Sequence, residues 1–314
     1  MFPEPHFVDT NGIRMAIHEQ GVGPPVVLLH GFPELAYSWR RQLPALTDAG
    51  FCAIAPDQRG YGQTSKPEGV DNYTLELLLG DIVGMLDVLD IDKAVLAGHD
   101  WGALLVWQMA LVRPDRLAGL IALNIPFLPR PPVEPIGYMR AELGNDFYIV
   151  NFQDSDTADR RCAANPARVF EVMMRRNQIS RERFETLPRQ MRSFDLLAAL
   201  DRSELRGEPL LTDEEAKVYV DAFSAGGFTG PINWYRNWTR NWAATADVDQ
   251  TVSVPSLFIG AVDDVIISPA QIEAMAPHVP DLEIRMLENC GHWSQQERPD
   301  AVNALMLDWL RRRV

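Results

Sequence analysis

The chain has 314 residues, of which 46% are hydrophobic and 23% charged, and its formal net charge at pH 7 is -14. This length favours one large domain with a smaller inserted one, and the composition is that of a chain that folds throughout. Excess negative charge is the wrong sign for a phosphate backbone or an anionic membrane. We therefore expect neither nucleic acid nor a membrane as a partner.

Cysteine and histidine usage argues against a disulfide framework and a metal centre. The three cysteines lie far apart, and the six histidines show no metal-ligand spacing. Residues 1–6 lack the basic start and apolar run of a secretory signal, and no segment has the length of a membrane span. We predict a cytoplasmic protein, monomeric or homodimeric, with no metal and no cofactor.

Short apolar runs alternate with helix-length segments along most of the chain. Apolar residues at three- and four-residue steps predict helices over residues 75–89 and 302–310. Together these patterns predict an α/β fold in which helices flank a mostly parallel sheet. The apolar runs predict its strands at residues 26–29, 52–55, 94–97, 120–123, 256–259 and 282–287.

The pattern changes between about residues 127 and 248, where helical segments rich in Arg, Met and aromatic residues replace the strand-like runs. Several prolines mark the start of this segment, and sheet-like sequence returns after residue 255. We predict a core domain of residues 1–126 and 249–314, with residues 127–248 inserted as a helical cap.

The segment around Asp100 passes from an apolar strand into a helix, with Gly98 two positions before the aspartate and Gly102 two positions after it. This pattern is typical of a nucleophile elbow, with Asp where ester hydrolases have Ser. The glycines let strand and helix pack closely, which pushes the central side chain outward. Asp is also favoured as a helix cap, so the motif alone leaves that alternative open.

Two later segments offer a base and an acid in the chain order nucleophile, acid, histidine. His292 follows the last predicted strand, so it lies at the same sheet edge as Asp100. The preceding strand leads into the adjacent pair Asp263 and Asp264. We choose Asp263 as the acid that orients His292 and assign Asp264 to the loop, because exposed Asp pairs usually form turns. The opposite assignment stays open.

The turn after the strand at residues 26–29 supplies backbone N–H groups. Gly31 allows close approach of the backbone, and the amides of Phe32 and Trp101 are candidates for an oxyanion hole. His30 is interpreted as a hydrogen-bonded structural residue of this turn.

Four motifs resemble those of the α/β-hydrolase-fold epoxide hydrolases, and the resemblance covers nearly the whole chain. Haloalkane and fluoroacetate dehalogenases share these motifs in part, so the motifs indicate an Asp nucleophile more than they indicate the substrate. Fluoroacetate dehalogenases have Arg after the nucleophile, where this chain has Trp101. The motifs are His30-Gly31-Phe32-Pro33-Glu34, Asp57-Gln58-Arg59-Gly60-Tyr61-Gly62, Gly98-His99-Asp100-Trp101-Gly102 and Gly291-His292-Trp293.

Epoxide hydrolases of this family carry two cap tyrosines that donate hydrogen bonds to the epoxide oxygen. Tyr148 and Tyr235 lie in segments that resemble the surroundings of those residues. Trp234, Trp238 and Trp242 recur every four residues and are interpreted as one packing stripe of a cap helix, from which Tyr235 is turned by about 100°. For Tyr148, packing remains a rival interpretation.

The resemblance implies that Asp100 attacks an epoxide carbon while Tyr148 and Tyr235 bind the oxygen. His292 then activates the water that releases a vicinal diol. The expected partners are a small-molecule epoxide and water, in a role such as detoxification or biosynthesis. The alternatives are a haloalkane dehalogenase, with Trp101 binding the halide, or a non-catalytic ligand-binding protein of the same fold.

Overall fold

The structure, a computed structural model, describes residues 2–154, 156–176, 178–188 and 191–314. Its strands form an eight-stranded sheet and a separate two-stranded ribbon. The strands are β1 (His6–Thr10), β2 (Ile13–Gln20), β3 (Pro25–Leu29), β4 (Cys52–Pro56), β5 (Ala94–His99), β6 (Leu117–Leu123), β7 (Arg175–Arg176), β8 (Glu208–Pro209), β9 (Ser256–Ala261) and β10 (Leu282–Leu287).

The strand order of the sheet is β1-β2-β4-β3-β5-β6-β9-β10. Strand β2 is antiparallel to both of its neighbours. From β4 to β10, neighbouring strands pair in parallel. The α/β class and all six predicted strands are confirmed, whereas the hairpin of β1 and β2 is absent from the sequence-based prediction.

Helices flank the sheet, and the predictions over residues 75–89 and 302–310 are confirmed as α2 and α15. Short 3-10 turns lie at Ala36–Trp39, Val70–Tyr73 and Pro114–Arg116. The α-helices are α1 (Gln42–Asp48), α2 (Leu75–Val88), α3 (Trp101–Val112), α4 (Pro135–Leu143), α5 (Tyr148–Asn151), α6 (Thr157–Ala164), α7 (Pro166–Met173), α8 (Arg181–Glu185), α9 (Leu196–Leu200), α10 (Asp213–Gly226), α11 (Thr229–Arg236), α12 (Trp238–Ala244), α13 (Pro269–Glu273), α14 (Ser294–Glu297) and α15 (Pro299–Arg313).

The core divides into two hydrophobic clusters, one on each face of the sheet. Along β3, Val27 and Leu29 belong to one cluster and Val26 and Leu28 to the other, as the alternation of a strand requires. Helices α2 and α3 contribute to the first cluster, and α1 and α15 to the second. Strands buried on both faces read as continuous apolar runs, which is why the sequence predicts them.

The segment between β6 and β9, called the cap below, contains helices α4 to α12 together with the ribbon of β7 and β8. It contacts the core through hydrogen bonds. The indole of Trp234 donates to the carbonyl of Arg59 at 3.1 Å, and the indole of Trp293 donates to the carbonyl of Met173 at 2.9 Å. The domain limits at residues 127 and 248 stay a prediction. No helix in the described part of the chain has the length and hydropathy of a membrane span.

The interpretation of Trp234, Trp238 and Trp242 as one stripe of a cap helix is wrong. Helix α11 ends before Trp238, where α12 begins, so Trp234 lies on a different helix from the other two. Trp234 is buried and packs edge-on against the core residue Trp101, with ring centroids 5.5 Å apart. Trp238, on the next helix, also contacts the Trp101 ring, with ring centroids 5.2 Å apart.

Candidate active site

Asp100 occupies a strained turn between β5 and α3, with φ 53° and ψ -118°. A positive φ is rare for residues other than glycine and costs free energy, which is typical of functional turns. A Cβ on Gly98 would collide with the backbone of Gly102, and a Cβ on Gly102 would collide with the carbonyl of Leu29. The Asp100 side chain makes no capping hydrogen bond to α3, so the helix-cap alternative is wrong.

The carboxylate of Asp100 lies between a backbone N–H group and an imidazole. Its Oδ1 accepts a hydrogen bond from the Phe32 N–H at 2.8 Å, and its Oδ2 lies 3.6 Å from His292 Nε2. Gly31 lies so close that a Cβ there would collide with the Asp100 side chain. The Asp100 and His292 side chains both keep 14% of their surface exposed, so neither is fully sealed from solvent.

The structure contradicts the choice of Asp263 as the orienting acid. His292 Nδ1 lies 3.0 Å from Asp264 Oδ2, and Asp264 is buried. Asp263 instead accepts the backbone N–H of Arg181, in cap helix α8, at 3.0 Å. The turn after β9 determines this choice, because the N–H of Ile266 donates to Asp264 Oδ1 at 3.0 Å and fixes that side chain inward. The adjacent carboxylate therefore faces the cap.

Charge on the two carboxylates controls the protonation of His292. Burial alone would lower the pKa of this imidazole, but the charges of Asp264 and Asp100 outweigh burial and raise the pKa well above its usual value. Burial alone would raise the pKa of Asp264, yet the interactions with His292 and the amide of Asn124, at 2.8 Å, lower it. The arrangement therefore favours an imidazolium next to an ionised Asp264.

A buried polar network that the sequence-based prediction lacks holds the backbone of His292. His99 Nε2 lies 2.7 Å from the His292 carbonyl oxygen, and His99 Nδ1 lies 2.8 Å from Glu34 Oε2. The other carboxylate oxygen of Glu34 accepts from the side chains of Gln295 at 2.9 Å and Gln296 at 3.0 Å. Burial would raise the pKa of Glu34, but His99 and a backbone N–H lower it to about 2.

Glu34 and His99 belong to the motifs given in the sequence analysis. This is the only sequence feature that indicates a role for them in the site. A motif does not say which way a buried polar side chain faces. His30, in the same turn, has the structural role expected of it. Its Nε2 accepts the backbone N–H of Gln58 at 3.1 Å, and its ring is fully buried.

Tyr148 from α5 and Tyr235 from α11 contact each other, with ring centroids 5.8 Å apart. The Tyr235 ring also lies 5.3 Å from the ring of Phe32 and 5.1 Å from that of Trp101. Burial raises the pKa of both phenols, and the negative charge of Asp100 raises each further. Tyr235 thus packs on Phe32, whose N–H donates to Asp100, and on Trp101, while Tyr148 packs on Tyr235. Both are neutral phenols that can act as hydrogen-bond donors.

Of the two proposed oxyanion residues, Phe32 already donates its N–H to Asp100. Trp101 is the first residue of α3, where backbone N–H groups have no partner within the helix.

In the described ranges, no three His, Cys, Asp or Glu side chains are grouped so that they could hold a metal ion.

Comparison with known proteins identifies the family. A model of the α/β hydrolase fold family matches residues 24–299. The chain is 43% identical to epoxide hydrolase A of Mycobacterium tuberculosis, over 98% of this chain and 97% of that protein. The chain belongs to the family of α/β-hydrolase-fold epoxide hydrolases. The resemblance of its motifs to this family is thereby confirmed.

Other members extend the comparison to structure and to longer proteins. The crystal structure of epoxide hydrolase A from Mycobacterium thermoresistibile matches with a TM-score of 0.87 and 39% identity, covering 98% of each chain. Bifunctional epoxide hydrolase 2 of Sus scrofa is 37% identical over 95% of this chain, but the match spans only 53% of the pig protein. The α/β hydrolase fold is therefore shared over 98% of this chain.

Proposed function

We propose that this chain is an epoxide hydrolase that forms a vicinal diol through an ester on Asp100. The observation that carries the proposal is the placement of two neutral phenols, Tyr148 and Tyr235, beside a carboxylate that has a histidine partner. A leaving halide needs no proton donor, whereas an epoxide oxygen does. Relatives named epoxide hydrolase, similar over nearly the full length, support the same activity.

In the first step, a carboxylate oxygen of Asp100 attacks an epoxide carbon. The new C–O bond forms as the ring C–O bond breaks, and the electron pair of the broken bond moves to the ring oxygen. The hydroxyl groups of Tyr148 and Tyr235 stabilise that oxygen by hydrogen bonds as it becomes an alkoxide, and an alkoxide is basic enough to take a proton from a phenol. An ionised carboxylate needs no base for this step.

The attacking oxygen is best assigned to Oδ2. Oδ1 of Asp100 accepts the Phe32 N–H at 2.8 Å. If Oδ2 forms the ester bond, Oδ1 becomes the ester carbonyl oxygen while still next to that donor. The N–H groups of Phe32 and Trp101 then stabilise the oxyanion that appears on this atom when water adds.

Before the second step, His292 gives its proton through solvent to the tyrosinate that the first step leaves. The neutral Nε2 then accepts a proton from water, and the resulting hydroxide attacks the ester carbonyl carbon. Asp264, 3.0 Å from Nδ1, stabilises the imidazolium. Collapse of the tetrahedral intermediate breaks the ester bond to the substrate carbon chain and leaves Asp100 as a carboxylic acid. The departing alkoxide takes a proton from His292, and His292 takes the proton of that carboxylic acid, so Asp100 returns to a carboxylate and His292 to an imidazolium.

The activity is tested by incubating the purified protein with a panel of epoxides and a panel of haloalkanes, and by measuring diol formation and halide release. We expect diol from epoxides, and the variant Asp100→Ala should form none. Halide release without diol formation would replace this proposal by a dehalogenase function.

The covalent step is tested with the variant His292→Gln, which retains the nucleophile and lacks the base. Mixed with an epoxide, it should gain the mass of one substrate molecule, and peptide mapping should place the added mass on Asp100. An adduct on another residue, or turnover at the parent rate, would contradict the ester mechanism.

A further inference from the structure

Glu297, the last residue of α14, binds the backbone N–H groups of the two residues that flank His292. Its Oε2 accepts the N–H of Gly291 at 3.0 Å, and its Oε1 accepts the N–H of Trp293 at 3.0 Å. Both carboxylate oxygens are therefore used on the short turn that carries the proposed base. Hydrogen bonds to an ionised acceptor are stronger than neutral ones, so this contact is stiff.

The carbonyl groups of the same turn are bound by different residues. The His292 carbonyl faces His99 Nε2 at 2.7 Å, and the Gly291 carbonyl accepts the side-chain amide of Asn124 at 3.2 Å. His99 and Asn124 therefore bind carbonyl groups of the turn, and Glu297 binds its N–H groups. The direction of the imidazole follows from the backbone angles of His292, and those angles are fixed when the peptides on both sides of it are fixed.

Glu297 lies in a partly buried position, which is unfavourable for a carboxylate unless hydrogen-bond donors compensate for its lost hydration. Burial raises the pKa of its carboxyl group, although the two N–H groups oppose this shift. A partly buried carboxylate loses hydration, and this loss is compensated only by well-placed donors. A shorter or uncharged side chain would give up part of that compensation and would also loosen the turn.

We propose that Glu297 is a positioning residue for the water-activation step, which keeps Nε2 of His292 directed at the carbon where the Asp100 ester is hydrolysed. This proposal rests on the covalent mechanism above. Formation of the ester does not use His292 as a base, whereas its hydrolysis does. Loosening the turn should therefore slow the second step and leave the first nearly unchanged.

The variant E297Q tests this separation. Glutamine has one acceptor oxygen, so it binds one N–H and turns an NH2 group toward the other. Loss of a charged hydrogen bond corresponds to about a tenfold loss of rate or more in the ester hydrolysis step. Rapid-quench mass spectrometry should show ester accumulating at steady state, and KM should fall together with kcat because the accumulated ester is bound substrate.

E288Q is the matched control, because Glu288 is an exposed glutamate just after β10 in the same region of the chain. It should leave both rates unchanged. Circular dichroism melting checks the fold of each variant, and if E297Q fails to fold, E297D provides the same comparison with a carboxylate that is one methylene too short.

Two outcomes separate the failure of this proposal from the failure of the mechanism. If the wild-type protein forms ester on Asp100 but E297Q hydrolyses it at the wild-type rate, or slows both steps equally, Glu297 does not position His292. If the wild-type protein turns over epoxide without any ester on Asp100, the covalent mechanism fails and the role of Glu297 fails with it.

Discussion

Replacing Asp264 by Asn removes the charge beside His292 and preserves the volume of the side chain. The carboxylate oxygen lies 3.0 Å from Nδ1, in a buried site. Two unit charges about 4 Å apart interact by about 4 kcal/mol at an effective dielectric constant near 20. At about 1.4 kcal/mol per tenfold change in rate, the loss of this counter-charge should slow ester hydrolysis by about 10³-fold.

The assay is a single-turnover reaction quenched at successive times, in which ester and diol are measured separately. Asp263→Asn is the matched control, since it makes the same chemical change one residue earlier, where the carboxylate binds the backbone N–H of Arg181. We expect Asp264→Asn to accumulate ester and Asp263→Asn to resemble the wild type. If Asp263→Asn accumulates ester and Asp264→Asn resembles the wild type, the orienting acid is Asp263. Slow ester formation in Asp264→Asn would refute the counter-charge argument.

The pH dependence of the same variant gives an independent signature. His292 must be neutral to accept a proton from water, so hydrolysis is lost as pH falls through its pKa. Asp264 raises that pKa, and its removal should lower it. The Asp264→Asn variant should therefore reach its reduced maximal rate at a lower pH than the wild type. A profile shifted to higher pH would contradict this electrostatic role.

Two further predictions concern the cap phenols and the buried acid Glu34. Single Tyr148→Phe and Tyr235→Phe changes should each slow ester formation by up to about 10²-fold. The double change should nearly abolish ester formation in single-turnover measurements. A double variant that reacts at the parent rate would show that the tyrosines are packing residues. The pKa of Glu34 falls from 4.5 to about 2 on folding, so its stabilisation, about 3 kcal/mol, is present above pH 4.5 and is lost as pH falls toward 2. Urea unfolding of Glu34→Gln should therefore depend less on pH between 5 and 2 than that of the wild type, and equal dependence would contradict the depressed pKa.

The strands that the sequence predicts and those it misses differ in burial. Strand β5 is buried at every position, so its side chains form one apolar run. Strands β1 and β2 include exposed positions, with polar residues among the apolar ones. A search for apolar runs therefore recovers the strands inside the sheet and overlooks the hairpin at one edge. Strand β10, at the opposite edge, is predicted although three of its positions are exposed.

Some residues of the site are predictable from the order and spacing of motifs in the sequence, whereas others depend on the conformation of loops. Asp100 and His292 are predictable because glycine spacing and strand ends place them at one sheet edge. The choice between Asp263 and Asp264 depends on a turn whose internal hydrogen bond, from Ile266, no pattern of residue types reveals. The same holds for Glu297, whose partners are backbone groups that every sequence contains.

The charges around His292 link the two proposed steps in a fixed order. Before reaction, Asp100 and Asp264 together raise the pKa of the imidazole, so a proton stays on a ring whose Nε2 is 3.6 Å from Asp100. Ester formation converts Asp100 into a neutral group and removes one of these two charges. The pKa of His292 must then fall, because Asp264 alone opposes the effect of burial. Only after the nucleophile has reacted can Nε2 release its proton to the tyrosinate left by the first step. It can then accept a proton from the water that attacks the ester carbonyl carbon. In this mechanism the nucleophile itself controls when the base becomes active.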